Sequence, residues 1–272
     1  MQEPMIRTLP RKFVDKVWGV ECLPAPFPHL SDERIGEVWF EPPAELDELL
    51  VKYIFTSERL SVQSHPNDAQ AAEMGLGKTG KNECWVILEA EPDATIAVGF
   101  DRALDADELR KAALDGSIVD LLTWHPVEKG HVFYIPAGTV HAIGAGVSLI
   151  EVQQNSDITF RLYDYGRPRE LHLEQGMAIS HGKPYPASLR SKIDGPGGVL
   201  AQSSHFSLYF RDCKTTGFEV DLTGGPALLI PFDAPVLVGD HSIEPGECAL
   251  VAAYSSDGIK GDGILLIAQA AG

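Results

Sequence analysis

Residues 130–167, GHVFYIPAGTVHAIGAGVSLIEVQQNSDITFRLYDYGR, hold the pattern that decides the fold. Alternating apolar residues before Pro136 predict a strand. Pro136 and Gly138 predict a tight turn, after which a second strand carries His141. A histidine on a rigid strand beside a turn is well placed to face the mouth of a β-barrel. Taken alone, it is equally well explained as a structural histidine bonded to a backbone carbonyl.

Upstream of this stretch, the segment LSVQSHP (60–66) alternates strictly. The alternation places Ser61, Gln63 and His65 on one face of a strand. Three polar groups on an inward face are unusual for a structural core, where that face should be apolar. The segment therefore indicates a polar site inside the predicted barrel.

Four side chains form a candidate metal-ligand set: Gln63, His65, Glu83 and His141. Imidazole and carboxylate are the ligands of a catalytic zinc that keeps an open position, and an amide can be a fourth donor. Each residue has an ordinary explanation by itself, because His–Pro pairs are common in turns and a Glu at a strand start usually faces solvent. Their combination, with inward alternation around Gln63, favours a metal site.

The overall composition is that of an ordinary globular protein, with 44% hydrophobic and 22% charged residues in a chain of 272. The net charge of −17 opposes non-specific binding to nucleic acid or anionic membranes. It leaves room for an anionic small substrate, since a few clustered Lys and Arg side chains make a local positive pocket. We find no signal peptide and no membrane-spanning run, and four scattered cysteines predict buried free thiols. These features together predict a cytoplasmic protein.

One helical insert, around residues 101–124, interrupts the β-rich pattern. Its strongest helix is predicted over 105–122, with an acidic first turn and Gly116 as a candidate interruption. Shorter helices are expected over 68–74 and 171–180. Residues 21–35 and 75–82 are predicted to be loops, and strands are predicted over 36–40, 46–55, 83–88 and 95–99 and in short runs after residue 200.

The Pro- and Gly-rich segment 181–200 is a candidate domain boundary. We expect a catalytic domain over residues 1–190 and a smaller β-barrel over residues 195–272. The second region shows strand rhythm without a His/Glu ligand pattern, so it is predicted to be metal-free.

The central stretch, Gly130, Pro136, Gly138 and His141, matches the second motif of the cupin barrels. The chain as a whole resembles type I mannose-6-phosphate isomerases, most of all their short bacterial branch, over roughly residues 7–180. The resemblance rests on four ordered segments, LSVQSHPND (60–68), GKNECW (80–85), PAGTVHA (136–142) and SDITFR (156–161). It implies a mainly β fold, a cupin (jelly-roll-like) barrel with a helical insert and a second, smaller barrel.

The resemblance also implies an activity and a set of site residues. The activity is interconversion of mannose 6-phosphate and fructose 6-phosphate with one zinc ion per chain. Zinc is implied on Gln63, His65, Glu83 and His141. Arg161 and Lys81 are implied as catalytic residues, and sugar phosphate binding is implied for Ser61, Lys81, Arg161 and Arg167, the last matched by spacing only.

The chain departs from the family pattern at Asn82, where many relatives have Pro or Thr. It is also short for the family, so the large helical domain of the longer enzymes is expected to be mostly absent.

Aldose–ketose interconversion moves a proton between C1 and C2 through an enediol, and a divalent metal would stabilise the developing charge. The proton-transferring group is left open among Lys81, a metal-bound water, His131 and Glu151. Two rival functions are an iron-dependent cupin oxygenase, disfavoured by Gln63, and a non-catalytic sugar-phosphate sensor, disfavoured because Arg161 and every ligand are retained. The oligomeric state is not indicated.

Overall fold

A computed structural model describes residues 5–28, 33–215, 218–252, 254–255 and 258–271. The described chain is mainly β. Its first twelve strands are β1 (Met5–Thr8), β2 (Arg11–Val20), β3 (Ile35–Phe40), β4 (Leu49–Phe55), β5 (Val62–Ser64), β6 (Glu83–Ala90), β7 (Thr95–Phe100), β8 (Leu122–Pro126), β9 (His131–Ile135), β10 (His141–Ile143), β11 (Val147–Gln154) and β12 (Phe160–Tyr163).

The later strands and the helices complete the described elements. The strands are β13 (Arg190–Lys192), β14 (Gly197–Gln202), β15 (Phe206–Asp212), β16 (Asp221–Leu222), β17 (Ala227–Pro231), β18 (Val236–Val238), β19 (His241–Ile243), β20 (Ala249–Ala252), β21 (Tyr254–Ser255), β22 (Ile259–Gly261) and β23 (Ile264–Ala270). The α-helices are α1 (Asp68–Glu73), α2 (Ala106–Asp115), α3 (Ile118–Leu121) and α4 (Leu173–Ile179), and short 3-10 turns lie at Ala44–Leu46 and Ala187–Leu189.

Two antiparallel sheets face each other around the site. One has seven strands in the order β13-β9-β6-β11-β4-β3-β2, and the other has five in the order β12-β5-β10-β7-β8. Their inner faces share a buried apolar cluster that includes Trp85 and Leu149 from the first sheet and Val98 and Ile143 from the second. Alternation along the strands thus gives both sheets an apolar inner face, as in a β-sandwich or barrel.

The outer face of each sheet is covered by a different layer. Helices α2 and α3 pack Leu109 and Ile118 against Val62 and Ala142 of the five-stranded sheet. The seven-stranded sheet instead shares a core with the C-terminal six-stranded sheet, ordered β1-β20-β17-β23-β15-β14. The predicted site therefore lies between two sheets whose outer faces are each packed against another layer of the protein.

The first described strand belongs to the C-terminal sheet. Strand β1 pairs with β20 in antiparallel register, Met5 opposite Ala252 and Thr8 opposite Ala249. The chain then enters the seven-stranded sheet through β2. The division into residues 1–190 and 195–272 stays a prediction, and this pairing means that the N-terminal region contributes one strand to the C-terminal sheet.

The helix expected over 105–122 is two helices. Asp105 caps α2, since its carboxylate accepts the Glu108 backbone N–H at 2.8 Å. Gly116 ends α2 with φ +84°, a conformation that glycine adopts without a Cβ clash. The chain resumes as α3 and enters β8 at Leu122. The interruption expected at Gly116 is confirmed, and the single long helix is wrong.

All four cysteines are unpaired, with Cys84 and Cys248 buried, Cys213 half-buried and Cys22 exposed. Burial is thus confirmed for two of the four thiols and is wrong for Cys22, which precedes a loop. Within the described ranges, no helix combines the length and the apolar character that crossing a membrane requires.

Candidate metal centre

Strand pairing brings together residues that are far apart in the sequence. Strand β5 lies between β10 and β12, and Gln63 on β5 is opposite His141 on one side and Arg161 on the other. Directly opposite residues on neighbouring strands point to the same face of the sheet. Glu83 opens β6 in the facing sheet. These long-range antiparallel pairings therefore assemble the motif residues around one point between the sheets.

Two histidines converge on one carboxylate at that point. His65 Nε2 lies 3.6 Å from Glu83 Oε2, and His141 Nε2 lies 3.3 Å from Glu83 Oε1. One ligand atom from each of these residues falls within 4.8 Å of the others, and all three side chains are buried. This spacing is small enough for one metal ion to contact all three residues.

Hydrogen bonds to the backbone orient both imidazoles. His65 Nδ1 donates to Ile158 O at 2.8 Å, and His141 Nδ1 donates to Thr139 O at 2.9 Å. Each Nε2 is then the unprotonated nitrogen and turns its lone pair toward Glu83. Burial lowers the pKa of His65 well below its ordinary value and that of His141 to about 4. Both rings are neutral near pH 7, which is the form that binds a metal.

The carboxylate of Glu83 shows that a cation fits here. It is fully buried; Oε2 is contacted by the Lys81 ammonium, whereas Oε1 has no hydrogen-bond partner among the described residues. Burial raises the pKa of Glu83 to about 8, against the opposing effect of Lys81, whose Nζ lies 2.6 Å from Oε2. A bound cation would stabilise the ionised form and supply the missing partner. The residues present thus fit a divalent metal.

Gln63 is close to the metal-capable group, but its amide nitrogen, and not its amide oxygen, is directed toward His141. Its Nε2 lies 3.4 Å from His141 Nε2, while its Oε1 accepts from Ser61 Oγ at 3.0 Å. An amide oxygen would reach the same point after rotation of the terminal amide group. The expected role of Gln63 as a ligand therefore stays a prediction.

A cavity of about 280 Å³ opens beside the three buried residues. It receives Ser61, Gln63 and Arg161 from the five-stranded sheet, and Lys81 from the loop before β6. The seven-stranded sheet and the loops supply the rest of its lining, which includes Lys16, Trp18, Glu37, Trp39, Lys52, Trp85, Glu151, Asp157, Thr159, Arg169 and His172. The structure thus gathers three of the four expected substrate contacts, Ser61, Lys81 and Arg161, in one cavity.

One wall of the cavity is a row of cross-strand neighbours, of which the sequence analysis named only Glu151, as a candidate proton-transferring group. Trp39, Lys52, Glu151 and Trp85 stand opposite one another on four adjacent strands. Lys52 Nζ lies 4.5 Å from the centre of the Trp39 ring and 3.3 Å from Glu151 Oε1, and Trp85 Nε1 donates to Glu151 Oε2 at 2.9 Å. A single lysine inside the apolar run LLVKYIF was the available signal for Lys52.

The positive charges of Lys52 and Lys81 lie next to the carboxylates of Glu151 and Glu83 on this side of the cavity. Burial alone would raise the pKa of Glu151, but Lys81 and Lys52 outweigh it and lower the pKa to about 2. Burial likewise opposes charge on Lys81, yet Glu151 and Glu83 raise the pKa of that ammonium. For Lys52, burial prevails over Glu151 and lowers the pKa. At neutral pH the cavity therefore contains an ionised Glu151 beside a charged Lys81.

Two further candidate residues lie outside the cavity lining. Arg167 binds Asp164 at 2.8 Å and the Arg59 carbonyl at 2.7 Å, and it borders a different, mostly apolar cleft. His131 is paired with Glu128 at 3.3 Å near the surface. Neither is positioned by these contacts to reach the cavity, and the phosphate contact expected for Arg167 stays a prediction.

Asn82, the departure from the family pattern, ties the site to the turn before His141. Its Oδ1 accepts from the Ala137 backbone N–H at 2.9 Å, and its Nδ2 donates to Gln154 Oε1 at 2.7 Å. Its side chain points away from the cavity, because it alternates with Lys81 and Glu83 along the chain. Asn82 therefore supports the turn rather than the ligand set.

Comparison with known proteins gives a consistent result. No family profile matches the chain. Mannose-6-phosphate isomerase of Streptococcus mutans is 43% identical over 172 residues, which are 59% of this chain and 53% of the relative. The Bacillus subtilis protein YvyI, provisionally named mannose-6-phosphate isomerase, is 30% identical over 235 residues, 76% of this chain and 74% of the relative.

Solved structures show the same fold. The mannose 6-phosphate isomerase of Bacillus subtilis superposes with a TM-score of 0.79 at 25% identity, covering 98% of this chain and all of that one. A zinc-bound mannose 6-phosphate isomerase superposes with a TM-score of 0.74 at 15% identity, covering 97% of this chain and 99% of that one. The match to Streptococcus mutans spans only about half of that relative's length.

The fold and the buried His–Glu–His group define a cupin-type protein with a metal-capable site. Among such proteins, the chain belongs to the mannose-6-phosphate isomerase family, since it is 30% identical to YvyI over 74% of that relative's length.

Proposed function

We propose that this protein is a metal-dependent aldose–ketose isomerase that interconverts mannose 6-phosphate and fructose 6-phosphate. The observation that carries the proposal is the buried group of His65, Glu83 and His141, whose ligand atoms converge next to Gln63 and Lys81 of a cavity whose lining also includes Arg161. The names of the relatives support the substrate pair. A sugar phosphate is then the small-molecule partner.

We assign the metal as zinc, one ion per chain. Two imidazoles and a carboxylate leave an open position, the arrangement of catalytic zinc, and Gln63 is the candidate fourth donor. The zinc-bound relative with the same fold supports this choice. A divalent ion at this position would stabilise the negative charge that develops on the substrate oxygens during enolisation.

The isomerisation requires no external oxidant or reductant. A base removes the proton from C2 of the aldose while O1 gains a proton, which gives the enediol. A proton then returns to C1 as the O2 hydroxyl loses its proton, so that the carbonyl forms at C2 and the net change is one proton moved from C2 to C1 and one from O2 to O1. Glu151 and Lys81 both line the cavity and differ in charge, so they are the candidate proton-carrying side chains, whereas His131 is directed elsewhere. Ionised Glu151 is able to accept a proton, and the Lys81 ammonium is able to stabilise negative oxygen.

Arg161 and Ser61 would hold the sugar phosphate. Within the described ranges, the guanidinium of Arg161 makes one hydrogen bond, from Nε to Glu170 O at 3.0 Å, so both terminal nitrogens remain for a ligand. The Ser61 hydroxyl lies beside Gln63 at the cavity wall. Binding energy from the phosphate, remote from C1 and C2, would orient the reacting carbons.

Metal analysis of the purified protein and a coupled assay on mannose 6-phosphate test the proposal together. We expect one zinc per chain and isomerase activity in the wild type, and loss of both in Glu83→Gln. Glu89→Gln is the matched control, because Glu89 lies on the same strand but is exposed and pairs with Lys129. A zinc-loaded wild type that does not interconvert the two sugar phosphates would overturn the proposed activity.

A further inference from the structure

We propose that Arg169, held in place by Asp164, binds the substrate phosphate together with Arg161, and that Arg167 is a structural arginine. This inference rests on the proposed function, because it assigns a residue to the phosphate of that substrate. It departs from the sequence-based expectation, in which spacing alone pointed to Arg167.

Arg169 borders the cavity as well as the neighbouring apolar cleft, and a paired contact with Asp164 holds its guanidinium. Its Nε lies 2.6 Å from Oδ2 and its Nη2 lies 2.7 Å from Oδ1 of that carboxylate. Asp164 is only 2% exposed, so the geometry of the pair is set by the surrounding protein. A two-pronged contact of this kind fixes the plane of a guanidinium. Nη1 of Arg169 has no hydrogen-bond partner within the described ranges and is left for a ligand.

The charges around Asp164 do not cancel. Its single carboxylate is shared between Arg169 and Arg167, whose Nη2 lies 2.8 Å from Oδ1. Arg161 faces the same cavity and forms no ion pair with a carboxylate in the part of the chain that the structure describes. Asp157 also lines the cavity, but it is exposed. Two guanidinium groups therefore border the cavity, and Asp164, the carboxylate that pairs with Arg169, is already shared with Arg167.

Neighbouring groups respond to this excess of positive charge. Burial and then Arg169 lower the pKa of Arg161, and burial and then Arg161 lower the pKa of His172. His172 Nδ1 accepts from the Arg161 backbone N–H at 3.3 Å, so Nε2 carries the ring proton as a donor. A phosphate dianion would relieve the repulsion and accept hydrogen bonds from all three side chains.

Arg167 is committed to other contacts. Its Nη2 donates to the Arg59 carbonyl at 2.7 Å, and its guanidinium lies 5.5 Å from the centre of the Tyr165 ring. Nη1 lies 3.7 Å from Glu58 Oε2, a distance that allows an ion pair, and has no hydrogen-bond partner within the described ranges. These contacts tie the loop after β12 to the segment before β5, on the side of the apolar cleft and not of the cavity.

The test uses the zinc-loaded full chain and two parallel substitutions, Arg169→Gln and Arg167→Gln, with Arg169→Lys as a milder variant that keeps the charge. Inorganic phosphate is titrated by calorimetry, and KM, kcat, zinc content and thermal midpoint are recorded. We expect Arg169→Gln to weaken phosphate binding and to raise KM by roughly 10- to 100-fold, with zinc unchanged and kcat nearly unchanged. The KM and the phosphate affinity of Arg169→Lys should fall between those of the wild type and those of Arg169→Gln. Arg167→Gln should lower the thermal midpoint and leave phosphate affinity within about twofold.

The outcomes separate this inference from the proposed function. Isomerase activity that is insensitive to Arg169→Gln, or a reversed result in which only Arg167→Gln loses phosphate affinity, contradicts the inference alone. Phosphate binding that depends on Arg169 in a protein without isomerase activity contradicts the proposed function alone. A wild-type holoenzyme that binds no phosphate contradicts the assignment of this anion site.

Discussion

Lys81 and Glu83 meet beside the cavity, with Nζ 2.6 Å from Oε2, while Asn82 between them faces the opposite way. The alternation of an extended chain thus separates two tasks within three consecutive residues. Lys81 and Glu83 face the site, and Asn82 supports the turn that carries His141. A charged lysine this close to a proposed ligand sets the electrostatics of both the metal and the substrate.

Substitution of a proposed ligand should remove metal and activity together. In His141→Ala, we expect zinc to be lost and kcat/KM to fall by on the order of a hundredfold or more, because the remaining His65 and Glu83 give too few donors. Metal content and turnover are measured on the same preparation. His131→Ala is the control and should keep both. Full activity in a metal-free His141→Ala protein would falsify the site.

Replacement of Arg161 separates binding from catalysis. Arg161→Lys keeps one positive charge and loses the planar donor pair. We expect kcat to fall on the order of a hundredfold with zinc content unchanged, because an oriented donor to charge that develops in the transition state is lost. Steady-state kinetics distinguish the roles, since a pure phosphate anchor would raise KM and leave kcat nearly constant. A normal kcat would restrict Arg161 to binding.

Glu151 should contribute stability that depends on pH. Its pKa is about 2 in the folded protein, against 4.5 for an ordinary Glu, because Lys81 and Lys52 outweigh burial. The contribution is fully present above pH 4.5 and is lost as the pH falls toward 2, since the unfolded chain binds the proton first. Glu151→Gln leaves buried lysines with fewer partners, so we expect a loss of about 3–5 kcal/mol above pH 4.5.

Urea unfolding of metal-free wild type and Glu151→Gln measures this dependence. The difference in unfolding free energy between them should be constant from pH 7 to about 5 and should shrink below pH 4.5. Glu128→Gln, at an exposed pair with Lys192, serves as the control. A difference that stayed constant down to pH 3 would show that Glu151 is not held ionised by the lysines.

The C-terminal region should support the catalytic part through the shared core. We propose that residues 195–272 form a metal-free β domain whose sheet covers the outer face of the seven-stranded sheet. Phe206 on β15 is fully buried and packs edge-on against Tyr134 on β9, at 5.9 Å between ring centres. Phe206→Ala should lower the free energy of unfolding by about 3–5 kcal/mol, with zinc content per folded chain unchanged.

Chemical denaturation tests this role, with Val199→Ala as the control. Val199 is 50% exposed, and its truncation should change stability by less than about 0.5 kcal/mol. A chain that ends near Gly182 should be poorly soluble, because it exposes the apolar face that the C-terminal sheet covers. If such a chain were stable and fully active, the supporting role would be wrong.

Local patterns in the sequence were sufficient to predict the residues of the metal-capable group. Strict alternation around Gln63 identified an inward polar face, and the turn at Pro136 and Gly138 located His141. The structure places His65, Glu83 and His141 together, as expected. Periodicity overestimated one helix, because it does not weigh the positive φ that Gly116 adopts.

The sequence alone therefore determined most strands and the turn before His141, since alternation and turn chemistry act between residues close in the chain. The family was indicated separately, by the resemblance of its ordered motifs. The tertiary structure decided which distant side chains share one space. Lys52 and Glu151 are brought together by strand register, and β1 crosses to the C-terminal sheet. The same holds for Arg169, which borders the cavity while Arg167, two residues earlier, does not. Which distant side chains come together depends on long-range strand pairing and burial, and a pattern read along the sequence does not contain that information.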